Sequence, residues 1–269
     1  MRRHLKVCAL LVLLGTVPGL ADTVAECARA KDVGVRIKSC TLLIAAQSSD
    51  AATAYLHRAS AHYKRRDYDQ TIADSTRAIK LRPSIAQAYF LRARALYRQR
   101  AYLDSVADFS KAIQRAPNNA RAYDGRGVAR RKLGLPDDAI ADHNKAVALD
   151  PELAKAYRNR GNAHFYKGDS ARAISDYSKS IAIDPGYANA YGDRGAAYEQ
   201  SGQVDLAIAD YATLIAIVPN SADAYSSRGF AYELKGNRNA AIADHRKALT
   251  LNPAHPLSRA NLRALLASR

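Results

Sequence analysis

Two rows of charges and one pair of thiols are the side chains whose types and spacing could do chemistry in this chain. Arginine stands at Arg58, Arg92, Arg126, Arg160, Arg194 and Arg228, and sixteen positions after each comes an aspartate: Asp74, Asp108, Asp142, Asp176, Asp210 and Asp244. A guanidinium fork facing a carboxylate makes two parallel charge-assisted hydrogen bonds, so the rows read as a ladder of pairs. The functional alternative is a row of ligand-binding arginines. Cys27 and Cys40 read as a disulfide, with metal binding or redox catalysis as the rival, because neither lies in a Cys-x-x-Cys pair. His57 and His255 have no partner at metal-ligand spacing. There is no Gly-rich phosphate loop, no Gly-x-Ser-x-Gly elbow and no carboxylate pair outside the aspartate row. The chemistry on offer is recognition, and neither catalysis, a cofactor nor a metal is expected.

What positions those residues is a repeat. The stretch from Ala190 to Tyr198 recurs from Ala224 to Tyr232, and six copies of a 34-residue unit run without insertion or deletion from Ala52 to His255. Their bounds are 52–85, 86–119, 120–153, 154–187, 188–221 and 222–255. In the fifth copy Tyr191, Gly195 and Tyr198, then Ala207 and Tyr211, sit at helical spacing within two runs, so each copy is two amphipathic helices. Gly134, Gly168, Gly202 and Gly236 fall between the runs, where a tight turn uses glycine's permissive backbone. Pro83, Pro117, Pro151, Pro185, Pro219 and Pro253 close the second helix. His62 and His164 replace the tyrosine of a first helix, while His143 and His245 replace the aromatic of a second, so all four read as core. An array of such hairpins buries apolar surface only between neighbours, which makes one elongated domain the expectation for 269 residues.

The pattern resembles the tetratricopeptide repeat over residues 52 to 255. The resemblance implies an all-α fold, an α-solenoid in which antiparallel helix pairs stack into a right-handed superhelix with a concave groove that binds peptides and proteins. Tyrosine at Tyr55, Tyr89, Tyr123, Tyr157, Tyr191 and Tyr225 stands where that family often has tryptophan, and the arginine row stands where it usually has leucine.

Both ends differ from the repeats. Basic residues up to Lys6, an apolar run from Val7 to Leu14 and small or helix-breaking residues from Thr16 to Ala21 have the layout of a secretory signal peptide, residues 1–21, cleaved after Ala21. The run is far shorter than the roughly 20 residues of a spanning helix, and a retained membrane anchor is the alternative to cleavage. Cleavage removes Arg2, Arg3 and Lys6, lowering the formal net charge from +16 to +13. Export, to a bacterial periplasm or outside the cell, favours a disulfide between the remaining pair. Residues 22–51 read as a shortened hairpin with helices near 23–30 and 33–46, and Cys27 and Cys40 have the same spacing as Tyr198 and Tyr211, which puts them at facing positions. Residues 256–269 read as a capping helix that turns a stripe of Leu257, Leu262, Leu265 and Leu266 inward.

Subtracting the repeating positions leaves the residues that the family resemblance places in the groove. They differ between copies and run from basic to acidic along the array: the first two repeats carry +4 each and the fifth carries −3. The candidate partner-binding residues are Tyr63, Lys64, Arg94, Tyr97, Arg98, Arg131, Lys132, Arg158, Asn162 and Phe165, with Asp124 and Val128 beside them. Basic side chains interleaved with aromatics suit an acidic or C-terminal segment of a protein partner. Some family members clamp a C-terminal carboxylate with lysine, arginine and asparagine. Here Asp193, Asp223 and Ser227 break that pattern, and the clamp is not carried over. Nucleic acid is not an expected partner of an exported chain. Adhesion to an anionic surface, lipid head groups or cell-wall polymer, is the alternative function.

Overall fold

The computed structural model describes residues 20–47 and 50–267, and among these residues there are fifteen helices and no strand. The proposed signal segment, apart from Leu20 and Ala21, lies outside the described residues. The chain divides into two compact units, one through Ala95 and one from Leu96. Hairpins that touch only their neighbours share no common core, and each unit is described by itself.

The first unit holds α1 (Leu20–Arg29), α2 (Val33–Ala45), α3 (Ala51–Lys64), α4 (Tyr68–Leu81) and the beginning of α5 (Ala86–Arg98). The second holds the end of α5, α6 (Tyr102–Arg115), α7 (Ala120–Lys132), α8 (Pro136–Leu149), α9 (Ala154–Tyr166) and α10 (Ser170–Ile183). It continues through α11 (Ala188–Gln200), α12 (Val204–Ile217), α13 (Ala222–Leu234), α14 (Arg238–Leu251) and α15 (Pro256–Ala267). The first helices α3, α7, α9, α11 and α13 each pack on their own second helix and on the second helix before it, and α9 also touches α7 and α11. This is an all-α solenoid of helix hairpins within each unit.

Local chemistry sets the helix ends. The residues before the prolines, among them Arg82 (φ −142°) and Asp150 (φ −139°), are extended, because the proline ring excludes the helical conformation there. Gly134, Gly168, Gly202 and Gly236 turn the chain at φ between +76° and +80°. Arg66 and Arg100 hold the same position in the first two repeats at φ +63° and +65°, a left-handed conformation that costs an L-residue on the order of 1 kcal/mol.

Most buried apolar side chains are alanines, which let the helices approach closely, and α6, α8, α10, α12 and α14 add a ring apiece: Phe109, His143, Tyr177, Tyr211 and His245. Tyr177 is 1% exposed and lies against Gly161, where a Cβ would meet its ring at 2.7 Å. His143 is fully buried against Gly127 in the same way. The histidines at 143 and 245 are core residues, as their positions in the repeat imply. The cysteine pair forms the core of the first hairpin, with Leu43 and Ala54, and its sulfurs lie 2.11 Å apart, at disulfide distance.

Five of the six Arg/Asp pairs lie within one or other unit, and all five form the fork. In Arg160, Nε donates to Asp176 Oδ2 at 2.9 Å and Nη2 to Oδ1 at 2.6 Å; Arg58, Arg126, Arg194 and Arg228 do the same with their aspartates. The aspartates are buried. Each of these guanidiniums also lies 5.4 to 5.8 Å from the centroid of the tyrosine three residues before it. A third contact is absent from the sequence reading. Nη1 donates to the preceding hairpin: Arg58 to Thr41 at 2.9 Å, Arg126 to Ser110 at 3.0 Å, Arg160 to Asn144 at 2.8 Å and Arg194 to Ser178 at 2.9 Å. One arginine therefore closes its own hairpin and ties it to the one before.

The C-terminal helix corrects one expectation. Its packed side presents Ser258, fully buried, with Leu262 and Leu265 half-buried, while Leu257 and Leu266 are 65% and 51% exposed. The face is fixed by His255, whose Nδ1 accepts from Ser258 N at 3.2 Å and whose Nε2 is 3.0 Å from Asp223 Oδ1. That contact turns the first residues of α15 so that the four leucines cannot share the interface.

Two outcomes follow for stability. Arg160→Ala leaves Asp176 buried without its fork and lowers stability by about 3 kcal/mol in urea unfolding, and Arg160→Ala/Asp176→Ala costs less than the sum of the two single changes. Arg66→Gly and Arg100→Gly relieve the left-handed arginines and raise the melting temperature, each by the equivalent of about 1 kcal/mol.

Candidate first-helix binding faces

In the first unit the face belongs to α3 and α5. The Arg94 guanidinium lies 4.3 Å above the Tyr63 ring and 5.7 Å from that of Phe90, an arrangement that orients a cation without neutralising it. Tyr63 is in turn braced by Tyr68, with ring centroids 5.6 Å apart. Lys64 and Arg94 are exposed, and neither is paired with a carboxylate among the described residues. These three predicted site residues are thus brought together, with Tyr63 as the platform.

In the second unit the face is built on α7, α9 and α11, with Tyr97 and Arg98 at the end of α5. Tyr97 packs against Tyr102 at 5.5 Å; burial pushes its hydroxyl up, opposed by the Arg131 charge. Lys132 is exposed and Arg131 half-buried, with no hydrogen-bond partner for its buried Nε. The remaining predicted residues are engaged inside the protein. Arg158 Nε donates to Asp193 Oδ2 at 2.6 Å, and its guanidinium lies 5.6 Å from the Tyr187 ring. Burial pushes the Asp193 carboxyl up, against the pull of Arg158, Asn162 and Arg131. Asn162 Oδ1 accepts from the Tyr177 hydroxyl at 2.7 Å. Phe165 packs on the buried Ala173, Tyr177 and Ala197, so its ring serves the core between repeats.

Asp124, placed in the groove by sequence, is only 5% exposed. It accepts from Asn159 Nδ2 at 2.8 Å, and His143 Nδ1 stands 3.1 Å away. Burial alone would raise its carboxyl, yet the His143 and Asn159 contacts and the Lys155 charge hold it below the usual range. The Asp124–Asn159 and Arg158–Asp193 contacts both join residues 35 apart, one period plus one. That spacing is the signal in the sequence that would have found them. Asp193, noted there only as a break in the carboxylate clamp, sits where an incoming carboxylate would meet Arg158.

Among the described residues no group of three or more His, Cys, Asp or Glu side chains could hold a metal ion, and no helix is long and apolar enough to cross a membrane.

Comparisons place this architecture. Family models described as Tetratricopeptide repeat match residues 56–120, 154–187 and 222–255, and one described as TPR repeat matches 200–236. The crystal structure of MamA protein is 32% identical, with 62% of this chain and 92% of that one aligned at a TM-score of 0.56. YrrB, described as a TPR protein with an unusual peptide-binding site, is 22% identical over 70% of this chain and 97% of its own, with a TM-score of 0.57. PilW, a type IV pilus biogenesis factor, is 20% identical over 80% of this chain and 100% of its own, with a TM-score of 0.74; these last two likenesses show the fold alone. No curated protein matches the chain. A kept 34-residue period, stacked helix hairpins and a one-third-identical relative aligned over nearly its whole length agree: the chain belongs to the tetratricopeptide repeat family.

Proposed function

We propose that this protein is a non-enzymatic scaffold that holds an acidic segment of a partner protein against its first helices. Proteins of this family are typically scaffolds for protein–protein interaction. The observation that carries the reading is Arg94, exposed, without a carboxylate partner among the described residues and held 4.3 Å over Tyr63. A guanidinium already oriented on a ring loses little freedom when a carboxylate arrives, so its hydrogen bonds contribute more of their strength to binding. Arg131 and Lys132 offer comparable charge in the second unit, whereas Arg158 is occupied by Asp193. The candidate recognition residues are accordingly fewer than the ten read from sequence: Lys64 and Arg94 in the first unit, and Arg98, Arg131 and Lys132 in the second.

The test is an array of acidic and neutral peptides probed with the full chain. Acidic peptides are retained, and Arg94→Ala/Arg98→Ala/Arg131→Ala/Lys132→Ala weakens retention about tenfold or more while helicity and melting stay unchanged. Unchanged retention would move the site off these helices. Complete loss of wild-type binding at moderate salt would favour adhesion to an anionic surface instead, since contacts made by charge alone are screened there.

Export is part of the proposal, supported by the signal-like order of residues 1–21 and by a cysteine pair at disulfide distance. Mass spectrometry of protein from its native compartment is expected to find Asp22 at the N-terminus and Cys27 linked to Cys40. Free thiols or a retained leader would refute it.

A further inference from the structure

We propose that the first unit carries a second binding site, on its α2 and α4 side, that takes an apolar side chain flanked by carboxylates in an acidic peptide. An open cavity of about 560 Å³ lies between the end of α2, the start of α3 and the last turns of α4. That volume falls within the range of ligand-binding clefts, and it accommodates one large side chain with the backbone on either side. Its walls are Ile44, Tyr55 and Leu81, and Leu81 is 56% exposed, an apolar surface left uncovered beside the cavity. The Tyr55 ring is held by the Arg58 guanidinium, 5.4 Å from its centroid, so the wall is rigid rather than adaptable.

The charge around the cavity selects the ligand. Arg77 and Lys80, three residues apart and therefore on one side of α4, both line it and are both exposed. No carboxylate lines it, and neither cation is paired among the described residues. Asp50, close by in sequence, is spent on Arg82 at 2.7 Å and Thr53 at 2.7 Å. The positive charge is therefore left for something outside the chain. Gln47 adds an amide that can both donate to and accept from a peptide backbone. A free small anion would meet only the exposed cations, and an uncharged apolar group would leave both cations unused. A peptide lying across the mouth, one apolar side chain inward and acidic residues on either side, engages the walls and both cations together. None of these residues belongs to the first-helix face of Tyr63, Lys64 and Arg94, so the two sites can be tested apart.

The probe is fluorescein-labelled acetyl-Asp-Asp-Phe-Asp-Asp amide, titrated with the full-length chain and read by fluorescence anisotropy. Saturable binding is expected. It weakens about tenfold or more in Arg77→Glu/Lys80→Glu, in Leu81→Asp, and when serine replaces phenylalanine in the peptide, and each of these losses persists in the Lys64→Ala/Arg94→Ala and Arg131→Ala/Lys132→Ala backgrounds, where binding at the first-helix faces is removed. All substituted side chains in the cavity variants are exposed or half-exposed, and matching circular dichroism and melting confirm that each remains folded. The proposal is overturned by no saturation up to about 1 mM, by wild-type affinity in both cavity variants, by equal affinity for the serine peptide, or by loss confined to the first-helix variants.

Discussion

A carboxylate buried in every second helix is the constraint on which the rest depends. A buried aspartate is tolerated only when fully paired, and here the fork from Arg58, Arg126, Arg160, Arg194 or Arg228 satisfies both oxygens. The same guanidinium rests beside a tyrosine and, in four of these five, reaches a hydroxyl or amide of the preceding hairpin. A one-residue slip in either helix would rotate the arginine or its aspartate by roughly 100° and strand a charge. The unbroken 34-residue period is the sequence-level consequence. Packing alone would not demand it, because the core is largely alanine and discriminates weakly between registers.

That constraint explains what could be read without coordinates. Helix ends, turns and the Arg/Asp pairing were legible because they rest on residues that recur in every copy and act through local backbone chemistry, such as the extended residue before each proline. The bridge to the preceding hairpin was not, because its acceptor changes from Thr41 to Ser110 to Asn144 to Ser178 and no constant letter marks it. The face of α15 was not legible, because the leucine stripe marks one side of the helix while His255, through its contact with Asp223 32 residues earlier, sets which side packs.

The binding face shows the same division more sharply. Lys64 and Arg94 could be assigned from position, since nothing in the described neighbouring hairpins neutralises them. Asn162 occupies the position equivalent to Arg94, with Arg158 and Phe165 on the same helix, and yet the three are tied to Tyr177, Asp193 and the core between repeats. The state of Arg158 depends on what the next repeat places one period and one residue further on. A non-repeating residue can therefore be judged only in pairs. Single-repeat profiles of charge overstate how much of a groove is available.

The two left-handed arginines carry the argument about selection one step further. Four repeats turn on glycine at the position where Arg66 and Arg100 stand, so the backbone conformation is available without strain and the arginines are not needed to form it. Each lowers stability on the order of 1 kcal/mol while supplying one unit of the +4 that its repeat carries. In an array whose cohesion rests on fully paired charges, unpaired cations contribute little to folding and increase self-repulsion. Charge concentrated in the first two repeats, placed even where the backbone disfavours it, is not accounted for by the folding of these hairpins.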